Sequence, residues 1–348
     1  MSDEVSELRG KNLVERLCEL ADKSPDRVLY IELLDGVEES SRLTAGELRD
    51  RASRLAGSLR ESGVKPGEVV LMIATPPCEF LVGLMGCVWA GVIAAPIAFP
   101  RRVEHLSTRL EPVRKNAEAV AVVAAPAHQA AEQKVLEVLT EGTLPVISTL
   151  ADGAEPMADP VGDSEIAYLQ YTSGSTSEPR GVIVTHDNLM DNLAVSHELL
   201  DMDADSINVS WCPLTHDMGL IMGALPSIYF GMLSVLMPPA AFIRRPLKWF
   251  HAFDRYRGTH GYSPNFGYDL CVDRSTEAER AELDLSSVRV LINGAEPVRK
   301  HTRDKLTEAF AISGLAPTAH TPAYGLAEAT VLVSATEAES AGRVVAVD

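Results

Sequence analysis

Between residues 44 and 63 the apolar positions Leu48, Ala52, Leu55 and Leu59 recur at helical spacing, separated by charged and small residues. That spacing predicts an amphipathic surface helix. Thr44 and Glu47 carry the signature of a capping box at its start, and Gly63 followed by Pro66 reads as a left-handed stop. Beyond it, short apolar runs alternate with longer periodic ones. Residues 69–74, 92–98, 120–124, 146–150, 166–171, 182–184, 207–211, 233–237 and 288–292 predict strands. Residues 78–90, 186–200, 246–256 and 297–310 predict helices. Two uncharged stretches, 80–100 and 218–243, reach the length of a membrane span. Gly91 and Pro96 break the first, and Pro226, Gly231, Pro238 and Pro239 break the second, so each reads as a buried helix followed by a buried strand.

Alternation of strand and helix argues for parallel sheets covered on both faces, and the strands outnumber what one sheet comfortably holds. The expected fold is α/β, with two layered subdomains side by side and mostly parallel sheets. One is expected over about 70–195, the other over about 10–66 plus 205–334.

Composition narrows the partners. With 348 residues and 46% apolar content the chain can bury a large core. Its 31 Lys plus Arg against 49 Asp plus Glu give a net charge of -18, which repels nucleic acid and anionic membranes. A bound polyphosphate is not excluded, because distant surface charge is screened over about 8 Å at physiological salt. Cys18, Cys78, Cys87, Cys212 and Cys271 form no C-x-x-C pair, so neither a disulfide framework nor a zinc site is signalled and a reducing cytoplasm fits. The acidic N-terminus lacks the regions of a signal peptide.

Chemistry concentrates first in residues 171–181, Tyr-Thr-Ser-Gly-Ser-Thr-Ser-Glu-Pro-Arg-Gly, between two strand-like runs. Hydroxyls and amides of Thr172, Ser173, Gly174, Ser175 and Thr176 can wrap an anion, and Arg180 adds a fork-shaped cation. Triphosphate is the guest this suits. The common P-loop is not matched, since that needs Gly-Lys-Ser/Thr opening a helix, whereas here Arg180 is followed by Gly181 and a strand. The alternative is a plain polar hairpin loop.

Three further segments place polar groups at ends of predicted strands or starts of helices: 213–220 with His216 and Asp217, 293–298 with Gly294, Ala295 and Glu296, and 324–330 with Tyr324, Gly325, Leu326, Ala327 and Glu328. Taken singly, His216 and Asp217 could be an N-cap pair, Gly294 and Ala295 a strand-to-helix turn, and Glu328 a solvated carboxylate.

In their order and spacing, the loop, the His-Asp-x-Gly-Leu segment and Tyr-Gly-x-x-Glu resemble the adenylate-forming superfamily of acyl-CoA synthetases, luciferases and adenylation domains. Within it the chain resembles the fatty acyl-AMP ligases in residues 169–182, 213–219, 263–271, 293–298 and 324–333. The resemblance runs from about Leu13 to Ser334. It implies that Thr172, Ser173, Gly174, Ser175 and Thr176 with Arg180 hold the β- and γ-phosphates of ATP, and that Glu328, with Thr176, serves Mg²⁺. It further implies that Gly294, Ala295 and Tyr324 sandwich adenine, with Glu296, Gly325, Leu326 and Ala327 in the same nucleotide site. His216 and Asp217 would sit beside the substrate carboxylate, with Met218, Ile221, Met222, Tyr262 and Phe266 as candidates for the wall of an acyl tunnel. His216, Glu328 and Arg180 are thereby the catalytic candidates.

The implied reaction activates a fatty acid as its acyl adenylate, releases pyrophosphate, and passes the acyl group to an acyl carrier protein. An acyl-CoA synthetase and a non-catalytic acyl- or nucleotide-binding remnant are the alternatives. Three positions depart from the wider superfamily pattern: Ser177 where glycine is frequent, Arg180 where lysine is, and Ala327 where threonine is. The resemblance also puts a ribose-binding aspartate, a hinge and a lysine-bearing C-terminal domain downstream of Asp348. The chain is therefore expected to be the N-terminal part of a longer protein and to turn over poorly alone.

Overall fold

Thr44 Oγ1 accepts from the Glu47 N–H at 3.2 Å while the Glu47 carboxylate accepts from the Thr44 N–H at 2.9 Å, so the capping box forms and a helix runs over Ala45–Glu61. Its end is marked by Gly63 at φ 83. The structure, a computed structural model, describes residues 11–73, 76–98, 106–126, 130–140, 143–161, 165–171, 179–338 and 340.

The described strands form an eight-stranded and a six-stranded sheet. In chain order the first eight are β1 (Val28–Leu33), β2 (Glu39–Thr44), β3 (Val69–Ile73), β4 (Ile93–Pro96), β5 (Ala121–Ala124), β6 (Val146–Ser148), β7 (Ile166–Tyr171) and β8 (Gly181–Thr185). The others are β9 (Ile207–Ser210), β10 (Leu233–Leu236), β11 (His260–Ser263), β12 (Val290–Asn293), β13 (His320–Gly325) and β14 (Leu332–Ala335). Helices used below are α1 (Leu13–Lys23), α2 (Ala45–Glu61), α3 (Pro77–Trp89), α4 (His186–Leu200), α5 (Leu247–Tyr256), α6 (Asn265–Asp273) and α7 (Lys300–Phe310).

One compact unit, residues 9–27 and 43–190, holds the sheet ordered β6-β5-β3-β4-β7-β8. Its strands pair in parallel except for the antiparallel β7–β8 edge. β4 and β5 are buried at every position, which is why they read as unbroken apolar runs rather than as alternation. Leu71, Ala95, Val122, Leu110 and Val135 meet in its core.

The other unit, residues 28–42 and the chain from Asp191 on, holds the sheet ordered β14-β13-β12-β11-β9-β10-β1-β2. β1, β10, β9, β11, β12 and β13 pair in parallel, and β14 returns antiparallel to β13. Trp211 stacks on Phe242 with centroids 3.9 Å apart, and Trp249 meets both edge-on.

This partition corrects the expected one. Residues 10–27 and 43–66 belong with the six-stranded sheet because α1 and α2 pack against each other and against α3. Only the intervening 28–42 joins the other unit, through pairing of β1 with β10. The stretch 218–243 also differs from a single helix followed by a strand. It is a π-helix over Met218–Met222, a short helix over Pro226–Phe230, β10, and a helix over Pro239–Arg244. No described helix is long and apolar enough to cross a membrane.

β11 and β13 are absent from the predicted strands because they bury polar residues. His260 and His320 are almost fully enclosed. His260 Nε2 donates to the Leu200 carbonyl at 2.8 Å, which offsets the desolvation that hides such a residue from an apolar pattern.

Candidate active site

Beyond β9 the chain turns sharply and enters the π-helix, a form that recurs at functional sites. The turn leaves no room at Gly219, where a Cβ would lie 2.1 Å from the Pro213 carbonyl oxygen. Asp217, 12% exposed, accepts from the Met218 N–H at 2.6 Å and lies 2.6 Å from His216 Nδ1, while the His216 ring stays 54% exposed. The hydrogen bond to Asp217 raises the His216 pKa above its ordinary 6.5 despite partial burial. The pair therefore is an N-terminal cap and something more: the carboxylate that caps also orients an open imidazole.

Met218, Ile221 and Met222 are buried. The helix is fastened where its carbonyls would otherwise be orphaned: Ser234 Oγ donates to Gly223 O at 3.0 Å, and Tyr30 Oη to Ala224 O at 3.0 Å. β11 packs beside this helix, and its Tyr262 is fully buried with a hydroxyl that has no partner among the described residues. Phe266 is 45% exposed, edge-on to Trp211, so it is no buried wall residue.

After β12, residues 294–299 lead to α7 without regular structure. Gly294 is buried, and a Cβ there would lie 3.1 Å from Ala323 O of β13. Ala295 adopts φ 65, a left-handed conformation costly for an L residue. The Glu296 carboxylate lies 3.4 Å from the Phe266 N–H at the start of α6. Helix α7 begins at Lys300 rather than 297 because the buried Asn265 side chain claims this backbone first. Its Nδ2 donates to Pro297 O at 3.0 Å and its Oδ1 accepts from the Arg299 N–H at 2.9 Å.

That choice of oxygen and nitrogen on Asn265 orients its neighbours. Asn293 must present Nδ2, which donates to Asn265 Oδ1 and to His320 Nε2, both at 3.0 Å. His320 is thereby the Nδ1–H tautomer, assigned from the network, and burial lowers its pKa to about 4.

β13 and β14 form a hairpin with a bulge between Tyr324 and Gly325. Leu326 N donates to Val331 O at 3.0 Å, and a Cβ on Gly325 would lie 1.8 Å from that same oxygen, so only glycine fits the closure. Tyr324 is 61% exposed, Leu326 also reaches solvent, Ala327 is buried, and Glu328 stands exposed on a 3₁₀ turn over Ala327–Ala329. Glu328 makes no hydrogen bond or ion pair with other described residues.

These segments follow β9, β11, β12 and β13, which are neighbours in one sheet and mutually parallel, so they gather at the carboxyl edge where open α/β sheets bind ligands. In the six-stranded unit, Arg180 is exposed just ahead of β8, Gly181 lies against the Tyr171 ring, and Tyr171 Oη donates to Asn116 Oδ1 at 2.8 Å. Thr172, Ser173, Gly174, Ser175 and Thr176 lie outside the described residues. Among the described residues no group of three or more His, Cys, Asp or Glu forms a metal cage.

The family described as AMP-binding enzyme matches residues 18–347. The chain belongs to that family. It is 37% identical over 320 residues to the medium-chain-fatty-acid acyl-carrier-protein ligase JamA of Moorena producens, covering 88% of this chain and 53% of that protein. It is 34% identical over 353 residues to the long-chain-fatty-acid AMP ligase FadD26 of Mycobacterium marinum, covering 97% of this chain and 60% of that one. The crystal structure of a fatty acyl-adenylate ligase from L. pneumophila, in complex with acyl adenylate and pyrophosphate, superposes with a TM-score of 0.87 at 35% identity. That match covers 98% of this chain and 59% of the ligase. The chain thus spans between half and two thirds of the length of these relatives.

Asn192, Asn265, Asn293 and His320 escaped the sequence reading as site residues. Asn265 and Asn293 fall inside segments that carry the resemblance, and an asparagine set among apolar strand and helix residues was the available signal.

Proposed function

We propose that this chain carries the nucleotide- and acyl-binding part of an enzyme that activates a fatty acid as its adenylate, for transfer to an acyl carrier protein. The observation that carries the reading is the convergence of 213–222, 263–266, 294–299 and 324–330 at the carboxyl edge of four neighbouring strands. The activities of JamA, FadD26 and the L. pneumophila ligase support it.

In this reading Gly294, Ala295 and Tyr324 hold adenine, with Glu296, Gly325, Leu326 and Ala327 shaping the same site. Thr172 through Thr176 and Arg180 take the β- and γ-phosphates. His216, kept protonated to higher pH by Asp217, attracts the acyl carboxylate, and Met218, Ile221, Met222 and Tyr262 contribute to the wall along the acyl chain. One carboxylate oxygen attacks the α-phosphorus. The bond from that phosphorus to the oxygen bridging the β-phosphate breaks, and pyrophosphate leaves with the electron pair. No bond to protein forms, so the chain's work is positioning and charge neutralisation. Each methylene buried along the wall adds about 0.8 kcal/mol of anchoring.

Glu328 fits a role at Mg²⁺: it is an exposed carboxylate with no hydrogen bond or ion pair among the described residues, and this cation is commonly held by one or two carboxylates plus substrate phosphates. Thr176 would join it. Bound Mg²⁺ would offset the phosphate charge. The five cysteines are free thiols, in keeping with a cytoplasmic setting.

Fatty-acid-dependent exchange of labelled pyrophosphate into ATP, measured on the longest form of the protein over a series of chain lengths, tests the proposal. Exchange that depends on fatty acid and falls at least about a hundredfold in Glu328→Gln is expected; exchange indifferent to fatty acid would overturn it. Offering coenzyme A and an acyl carrier protein as competing acceptors separates this reading from an acyl-CoA synthetase.

A further inference from the structure

We propose that Asn265 is a positioning residue for the nucleotide base, acting through the backbone of residues 294–299. This rests on the reading that Gly294 and Ala295 form one wall of the adenine site. Asn265 is 1% exposed and turns both its amide nitrogen and its amide oxygen to this loop and its root: Nδ2 on Pro297 O, Oδ1 on the Arg299 N–H and on Asn293 Nδ2.

The loop needs such a fastening. Ala295 at φ 65 is held away from the regions an L residue prefers, and a residue stays in such a conformation only when its surroundings over-determine it. At the near end, Gly294 is seated against Ala323 O, and Asn293 is locked by Asn265 and His320. At the far end, Asn265 takes both the Pro297 carbonyl and the Arg299 amide. Without it only the long Glu296 contact to the Phe266 N–H, at 3.4 Å, remains beyond Ala295, so Ala295 relaxes and the wall moves. The groups read as phosphate ligands lie on other segments. A loss at Asn265 should therefore weaken contact with the base while sparing contact with the phosphates.

The test is binding of ATP and of inorganic tripolyphosphate, each with Mg²⁺, to the unsubstituted chain and to Asn265→Ala, with melting temperatures recorded for both proteins. Loss of these buried hydrogen bonds is expected to weaken ATP binding at least about tenfold and tripolyphosphate binding by less than about twofold. An Asn265→Ala chain that keeps the original ATP-to-tripolyphosphate affinity ratio, or that loses both ligands equally, would overturn the positioning role. If Asn265→Ala does not fold, Asn265→Asp decides by the same ratio: it keeps an acceptor for the Arg299 N–H and Asn293 but sets an oxygen against the Pro297 carbonyl, so ATP binding should again fall more than tripolyphosphate binding, and an unchanged ratio would overturn the role. Should the unsubstituted chain bind ATP no more tightly than tripolyphosphate, the adenine-wall reading itself fails and the positioning role with it.

Discussion

Asn192 grips both backbone groups of Leu332: its Oδ1 accepts from the Leu332 N–H at 3.2 Å, and its Nδ2 donates to the Leu332 carbonyl at 3.0 Å. The same amide nitrogen lies 3.4 Å from Ala329 O. A buried asparagine on α4 thus ties down the loop that carries Glu328. Asn192→Ala removes the hydrogen bonds to both backbone groups of Leu332, while Ala329 O keeps the Val331 N–H at 2.9 Å, and is expected to cost about 1–3 kcal/mol. Amide hydrogen exchange over residues 326–332 should speed up well beyond the rest of the unit, and unchanged protection there would refute the fastening.

At Gly325 no repacking can admit a side chain, because the atom met is the backbone oxygen of Val331. Gly325→Ala should open the β13–β14 hairpin and lower the melting temperature by several degrees. It should also abolish Mg²⁺-dependent nucleotide binding. A variant that melts and binds like the parent would contradict the closure described.

The His216–Asp217 pair should be visible in an NMR titration. His216 should titrate above the ordinary 6.5, and Asp217→Asn, which keeps an acceptor for the Met218 N–H, should bring it back down. Because the folded-state pKa lies above the unfolded one, the pair's contribution to stability is complete below the unfolded value and is lost as pH rises through the folded value. A His216 titration insensitive to Asp217→Asn would rule out the coupling.

His320 behaves oppositely. Burial first, and the field of Arg303 second, lower its pKa to about 4, against about 6.5 unfolded. Its contribution is complete above the unfolded value and drains away as pH falls toward about 4, by roughly 3 kcal/mol in full. The buried His260, also lowered to about 4, adds to the same acid limb. Urea melts of His320→Gln should show a shallower loss of stability between pH 6.5 and 4 than the parent; an identical slope would place the acid sensitivity elsewhere.

Local elements were legible where the signal is local. The helix over Ala45–Glu61 shows its cap, its apolar face and its stop within twenty residues, and β4 and β5 show the unbroken apolar run of strands buried on both faces. The strands β11 and β13 were hidden, because enclosing His260 and His320 becomes tolerable only once distant carbonyls and amides meet them. Membership of α1 and α2 in the six-stranded unit was hidden too, since packing against α3 leaves no periodic mark of its own.

By itself the sequence determined the α/β class, the elements whose patterns are short in range, and the segments bearing hydroxyls, His216, Gly294 and Glu328 that carry the family resemblance. Tertiary structure alone decided that 213–222, 294–299 and 324–330 share one sheet edge and that Asn192 and Asn265 fasten two of these loops. The physical reason is separation along the chain: Asn192 finds its partner 140 residues away and Asn265 finds Arg299 34 residues away, and hydrogen bonds of that span have no periodicity for a sequence to display.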